Sequence, residues 1–236
     1  MAPPCNDSIL DAAATTSNRV AELILAYVEK AKALFGLLDK HEAVITGELP
    51  LYILLSVFAQ HPVTWQPTTI EICIPDNRYT QFLIDFGSLY TITSVRHSFA
   101  GWTNAETILI AMCNRHIEES HFVTTARSKW RLVRCERDTT DITWISKPAT
   151  HELNVLTPNK IVSLCPWWTL AGKTCLYGIH REDIAAEVTS RAIDQGFIVF
   201  DDEEHLAKWN RMKNPFFHSD VTVPYPYPLE VHIEIV

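Results

Sequence analysis

Between Thr69 and Pro75 the chain reads Thr-Ile-Glu-Ile-Cys-Ile-Pro, with isoleucine at 70, 72 and 74. Strict alternation of this kind marks a strand that buries one face, because successive side chains point to opposite sides of a sheet. Such a strand is not stable alone. The rest of the chain must supply partner strands and a layer that covers the isoleucines. Pro75-Asp76-Asn77 then turns the chain into a helix, which Gly87 is expected to stop.

Upstream, Val20, Leu23, Ile24, Tyr27, Val28, Ala31, Leu34, Phe35 and Leu38 recur at helical spacing. They predict one amphipathic helix over about 18–39, after a loose lead-in over 1–17. A short apolar strand, 43–46, ends at Gly47. A helix over about 48–60 follows, with Pro50 in its first turn, where a missing N–H costs nothing. Further strands are predicted over 89–95, 107–112, 129–133, 141–145, 161–164 and 197–200, and further helices over 181–195 and 201–211. Pro166-Trp167-Trp168 reads as a turn. Residues 221–228 alternate proline with tyrosine or valine and predict an extended arm, after which 230–236 can pair at a sheet edge. The expected fold class is α/β (α+β): a mixed sheet flanked by helices, one domain over 18–218, and an extended C-terminal arm over 219–236.

Composition narrows the partners. Twenty basic and 28 acidic residues leave a net charge of −8, which repels a polyanion, so nucleic acid is not expected as a partner. Seven glycines in 236 residues argue against folds built on glycine-rich nucleotide loops. The six cysteines form no CxxC pair, which suits buried, reduced thiols in a cytoplasmic protein. Met1-Ala2-Pro3-Pro4-Cys5 has neither the charged nor the apolar region of a secretory leader. The longest apolar run, 49–59, falls far short of the roughly 20 residues that span a bilayer, so no membrane partner is expected.

The order helix, strand, Ile45-Thr46-Gly47-Glu48, helix, then Thr69-Ile70-Glu71-Ile72-Cys73-Ile74-Pro75 resembles the core of the nucleotidyltransferase superfamily, in particular the nucleotidyltransferase-like proteins common in fungi. The likeness covers about 40–86, with a weaker echo at Gln195-Gly196-Phe197. It implies a Gly-Ser turn opening a helix whose N–H groups receive phosphates, and an Asp-x-Asp strand whose two acids share one face. Those acids grip Mg²⁺ together with a third acid from a neighbouring strand. This chain departs from that pattern. Thr69 takes the place of the first acid and Glu71 keeps the second. The expected third strand, Thr107-Ile108-Leu109-Ile110, carries no acid, and Glu48 replaces the serine of the turn. A carboxylate about 4 Å from a phosphate would repel it by roughly 1–4 kcal/mol.

The resulting expectation is a diverged nucleotidyltransferase-fold protein that has lost metal-dependent transfer. It would hold a small organic molecule between the Gly47 turn and the Glu71 strand, with no cofactor and no metal. Glu71 and Glu48 are the candidate acid/base residues, and Thr46, Gly47, Thr69, Cys73 and Thr107 the candidate ligand contacts. Against this, Glu48 reads equally as a helix cap and Glu71 as an exposed strand residue. Two rival functions stand beside it. One is a catalytically silent interaction module, with a homodimer formed through the C-terminal arm. The other is a transferase surviving on Glu71 and an acid elsewhere.

Three other clusters have blander readings. Arg127, Lys129 and Arg131 share a face if extended, with Arg134 and Arg137 beyond them; a solvated edge strand explains the row better than an anion site. His116, Glu119 and His121 would place two metal ligands on one face only in a helix. Ala171-Gly172-Lys173-Thr174 lacks the first glycine of a phosphate loop, whose place Trp167 takes.

Overall fold

The computed structural model describes residues 6–59, 62–97, 117–125, 128–135, 149–176, 182–200 and 229–233. Within them, helices α1 (Asn6–Tyr27) and α2 (Ala31–Lys40) precede strand β1 (Val44–Thr46) and helix α3 (Glu48–Phe58). Strand β2 (Ile70–Pro75) and helix α4 (Asp76–Leu89) come next, then strands β3 (Ser94–His97), β4 (Ile117–Thr124) and β5 (Lys129–Cys135). A 3₁₀ turn (Thr150–Glu152), β6 (Asn154–Leu156), β7 (Lys160–Ser163) and the short helix α5 (Pro166–Leu170) continue the chain. Strand β8 (Lys173–Cys175), helix α6 (Glu182–Asp194), β9 (Ile198–Phe200) and β10 (Leu229–His232) complete the described elements.

Eight of these strands form one mixed sheet in the order β10-β7-β6-β1-β2-β5-β4-β3. Its β2/β5 pair is parallel, while the other neighbours run antiparallel. β8 and β9 pair in parallel as a separate ribbon, with α6 between them in sequence. The mixed α/β class with a large, helix-flanked sheet is therefore the one expected from the sequence.

The alternating isoleucines behave as predicted. Ile70, Ile72 and Ile74 join Ile45, Leu132 and Trp130 on the face covered by α1 to α4, in one continuous core. β10 takes the sheet edge expected for the tail, pairing with β7 from Leu229↔Ser163 to His232↔Lys160. No helix of the described residues is long and apolar enough to cross a membrane.

Four boundaries differ from expectation, each for a local reason. The first helix is two helices: Lys30 adopts a left-handed backbone (φ 56°), which a continuing α-helix cannot accommodate. That break is tied to the end of α4, where Lys30 Nζ donates to the Leu89 carbonyl at 2.7 Å and the Tyr90 hydroxyl to the Glu29 carbonyl. Residues 6–17, expected as a loose lead-in, lie within α1. α4 runs past Gly87 to Leu89 because Phe86 and Tyr90 pack on Trp130, with centroids 5.4 and 5.2 Å away. The strand predicted over 89–95 accordingly begins only at Ser94.

Pro166-Trp167-Trp168 opens the helix α5 rather than a turn, with Pro166 at its first residue. The two strands expected over 107–112 and 141–145, the helix over 201–211, and residues 219–228 of the arm lie outside the described residues.

Candidate functional site

On β1, β2 and β5 the residues Thr46, Glu71 and Arg131 stand opposite one another. The register pairs Thr46 with Glu71 on one side and Glu71 with Arg131 on the other. Residues paired across strands share a face, so three polar side chains form one rung on the face opposite the isoleucines. Arg131 Nη1 lies 3.0 Å from Glu71 Oε2, with the two side chains only 7% and 12% exposed. The Arg131 guanidinium also sits 5.7 Å from the centroid of Phe122, its partner on β4.

Gly47 closes this rung against α3. Its backbone (φ 78°, ψ −138°) lies where side chains are rarely tolerated, and a Cβ added there would sit 3.6 Å from the Glu71 Cβ. Glycine thus brings the turn onto the glutamate. Cys73, one rung further along the same face, is buried in a small apolar cluster with Val44, Val133, Cys135 and Val155. Thr46 is fully buried, and its hydroxyl has no hydrogen-bond partner among the described residues.

Thr46, Gly47, Glu71 and Cys73 are thus brought together as the sequence suggested. Glu48 is not part of the rung's ion pair. Its Oε2 accepts hydrogen bonds from the Thr68 backbone N–H at 2.8 Å and the Thr68 hydroxyl at 3.2 Å. The carboxylate therefore clasps the first turn of α3 to the segment leading into β2. Thr69 lies just ahead of β2 and lines an open cleft. Thr107 lies outside the described residues.

The basic row needs correction. β5 is an interior strand between β2 and β4, not a solvated edge. Its two arginines have separate partners: Arg131 meets Glu71, and Arg134 meets Asp76 at the start of α4. Arg127 and Arg137 lie outside the described residues. Of the cluster around 116–121, Glu119 and His121 lie in strand β4 instead of a helix, and His116 lies outside the described residues. Among the described residues no group of three or more His, Cys, Asp or Glu side chains could hold a metal ion. Cys73, Cys135, Cys165 and Cys175 are buried.

The residue that sequence reasoning missed is Arg131. Its signal was present as the Lys129-x-Arg131 alternation, but its significance depends on β5 lying beside β2, from which it is separated by α4 and two strands. The structure puts a guanidinium on the strand that neighbours Glu71. The sequence had assigned that neighbour to 107–110. No protein-family model matches the chain, and neither a curated protein nor a solved structure matches it, so the site is interpreted from its own geometry.

Proposed function

We propose that this chain is a diverged nucleotidyltransferase-like protein in which a fixed ion pair stands where relatives hold metal and triphosphate, and that it binds a small organic molecule without a metal. The observation that carries this reading is the register of Glu71 with Arg131. An adjacent strand is where the resemblance would place the third acid, and here that strand offers a cation. A dication about 4.5 Å from a guanidinium would be repelled by on the order of 7 kcal/mol at an effective dielectric of about 20. Glu71 alone does not offset that, since it already neutralises Arg131.

The rung suits a polar organic ligand better. The buried Thr46 hydroxyl needs a donor or acceptor, which a ligand group or a water supplies. Binding rather than acid/base conversion is the function proposed, because Glu71 is engaged with Arg131 and Glu48 with Thr68. The buried cysteines fit a reducing compartment. Calorimetry with ATP, GTP, CTP and UTP in the presence of Mg²⁺ tests the reading. No saturable binding tighter than about 1 mM is expected. Micromolar binding of any triphosphate that is lost on Glu71→Gln would restore the transferase reading.

A further inference from the structure

One rung before the ion pair, the segment leading into β2 and the start of β5 face an open cleft of about 380 Å³. That volume lies at the lower end of the range small molecules occupy. The walls differ in chemistry. The end of α1 contributes Leu25 and Tyr27, the turn after it Glu29, the β2 lead-in Pro67 and Thr69, and β5 Lys129. Leu25 is 57% exposed, on the solvent side of α1 with Glu22 and Ala26, while Leu23, Ile24 and Val28 face the core. The Tyr27 phenol stays neutral, since burial and its hydrogen bond to Tyr52 push its pKa up to about 12.

Glu29 and Lys129 are the charged residues of the cleft, and neither forms an ion pair among the described residues. Their elements are held together by the Ser128 hydroxyl, which donates to the Tyr27 carbonyl at 3.2 Å. One acid and one base thus line a single cleft of molecular size without neutralising each other, with apolar surface between them. A ligand that satisfies both needs one charge of each sign and an apolar body. Hydroxyl groups such as that of Thr69 add hydrogen-bonding capacity without changing this balance.

Extending the small-ligand reading of the neighbouring rung, we infer that this cleft binds a compact zwitterion of the amino-acid type. Its carboxylate would lie on Lys129, its ammonium on Glu29, and its apolar side chain against Leu25, Tyr27 and Pro67. Both anchors are exposed side chains, so affinity should be modest and should weaken with salt.

Calorimetry with L-leucine and L-phenylalanine, each beside its N-acetyl and methyl-ester derivatives, tests this directly. A free amino acid should bind with Kd below about 5 mM, and each derivative lacking one charge should bind about tenfold more weakly. Lys129→Met should remove the preference for the free acid over the ester, and Glu29→Gln the preference for the free amine over the amide. Unchanged melting curves for both variants show that the fold is retained. The inference is overturned if no probe binds at about 20 mM, if the derivatives match their parents, or if both variants keep full affinity. These outcomes do not depend on the triphosphate experiment. Triphosphate binding would remove the loss-of-transfer reading and leave this one standing, whereas indifference to zwitterions would remove only this one.

Discussion

Two neighbouring rungs of the same three strands follow different rules. Ile45, Ile72 and Leu132 stand opposite one another and are fully buried under the helices. One residue along, Thr46, Glu71 and Arg131 stand opposite one another on the other face, also largely removed from water. The apolar rung is held by area and shape, and a similar hydrophobe at any of its positions would serve. The polar rung is held by complementarity. Replacing Glu71 or Arg131 singly removes the opposite charge that the other, largely buried, side chain meets.

The largest effect should come from breaking that complementarity. Arg131→Met is expected to cost about 3–5 kcal/mol in a urea denaturation experiment, because the Glu71 carboxylate loses its guanidinium. Leu132→Ala on the apolar rung should cost about 2–5 kcal/mol through lost burial and a cavity. The rungs separate in the double variants. Glu71→Leu combined with Arg131→Met should recover stability to within about 1 kcal/mol of the parent or exceed it. A second truncation beside Leu132→Ala should only add to the loss. A cost below about 1 kcal/mol for Arg131→Met alone would mean that the pair behaves as a surface salt bridge.

A smaller effect sharpens the comparison, since His151 is a buried polar group held neutral instead of paired. It is fully buried in the 3₁₀ turn, its Nδ1 2.7 Å from the Thr174 hydroxyl and its ring 4.4 Å from that of Phe197. Burial holds its pKa down to about 4, with Arg191 adding to the depression and Glu152 opposing it. The unfolded chain takes up this proton below about pH 6.5, whereas the folded chain resists until about pH 4. Stability should therefore fall with acid across that window, by about 3 kcal/mol from this group. Urea midpoints at pH 7.5, 5.5 and 4 should show the loss, and His151→Gln should flatten it. An identical pH slope in the variant would assign the acid sensitivity to carboxylates.

The contrast between the rungs also explains what the sequence disclosed. The apolar rung was legible because period-two alternation needs no knowledge of neighbours: Ile70, Ile72 and Ile74 declare a face by themselves. The turn at Gly47 and the strand carrying Glu71 were legible too, since β1, α3 and β2 follow one another in the chain. Arg131 was not, because a residue becomes part of a rung only through strand order, and β5 joins β2 across α4, β3 and β4. Read in isolation, Lys129-x-Arg131 is an ordinary basic edge. The Thr68 partner of Glu48 was hidden for a related reason, as it comes from a loop segment with no periodic signal. The break at Lys30 was hidden by its neighbours, because apolar spacing continues from Val28 to Ala31 across a backbone kink.

On the function proposed, Glu71 serves Arg131 and not a metal ion, and Mn²⁺ titration followed by electron paramagnetic resonance distinguishes the two. The parent protein should bind no Mn²⁺ more tightly than about 1 mM. Arg131→Asp, which restores an acid opposite Glu71, should bind it measurably better if the variant folds by circular dichroism. Micromolar Mn²⁺ binding by the parent protein, abolished by Glu71→Gln, would contradict the account.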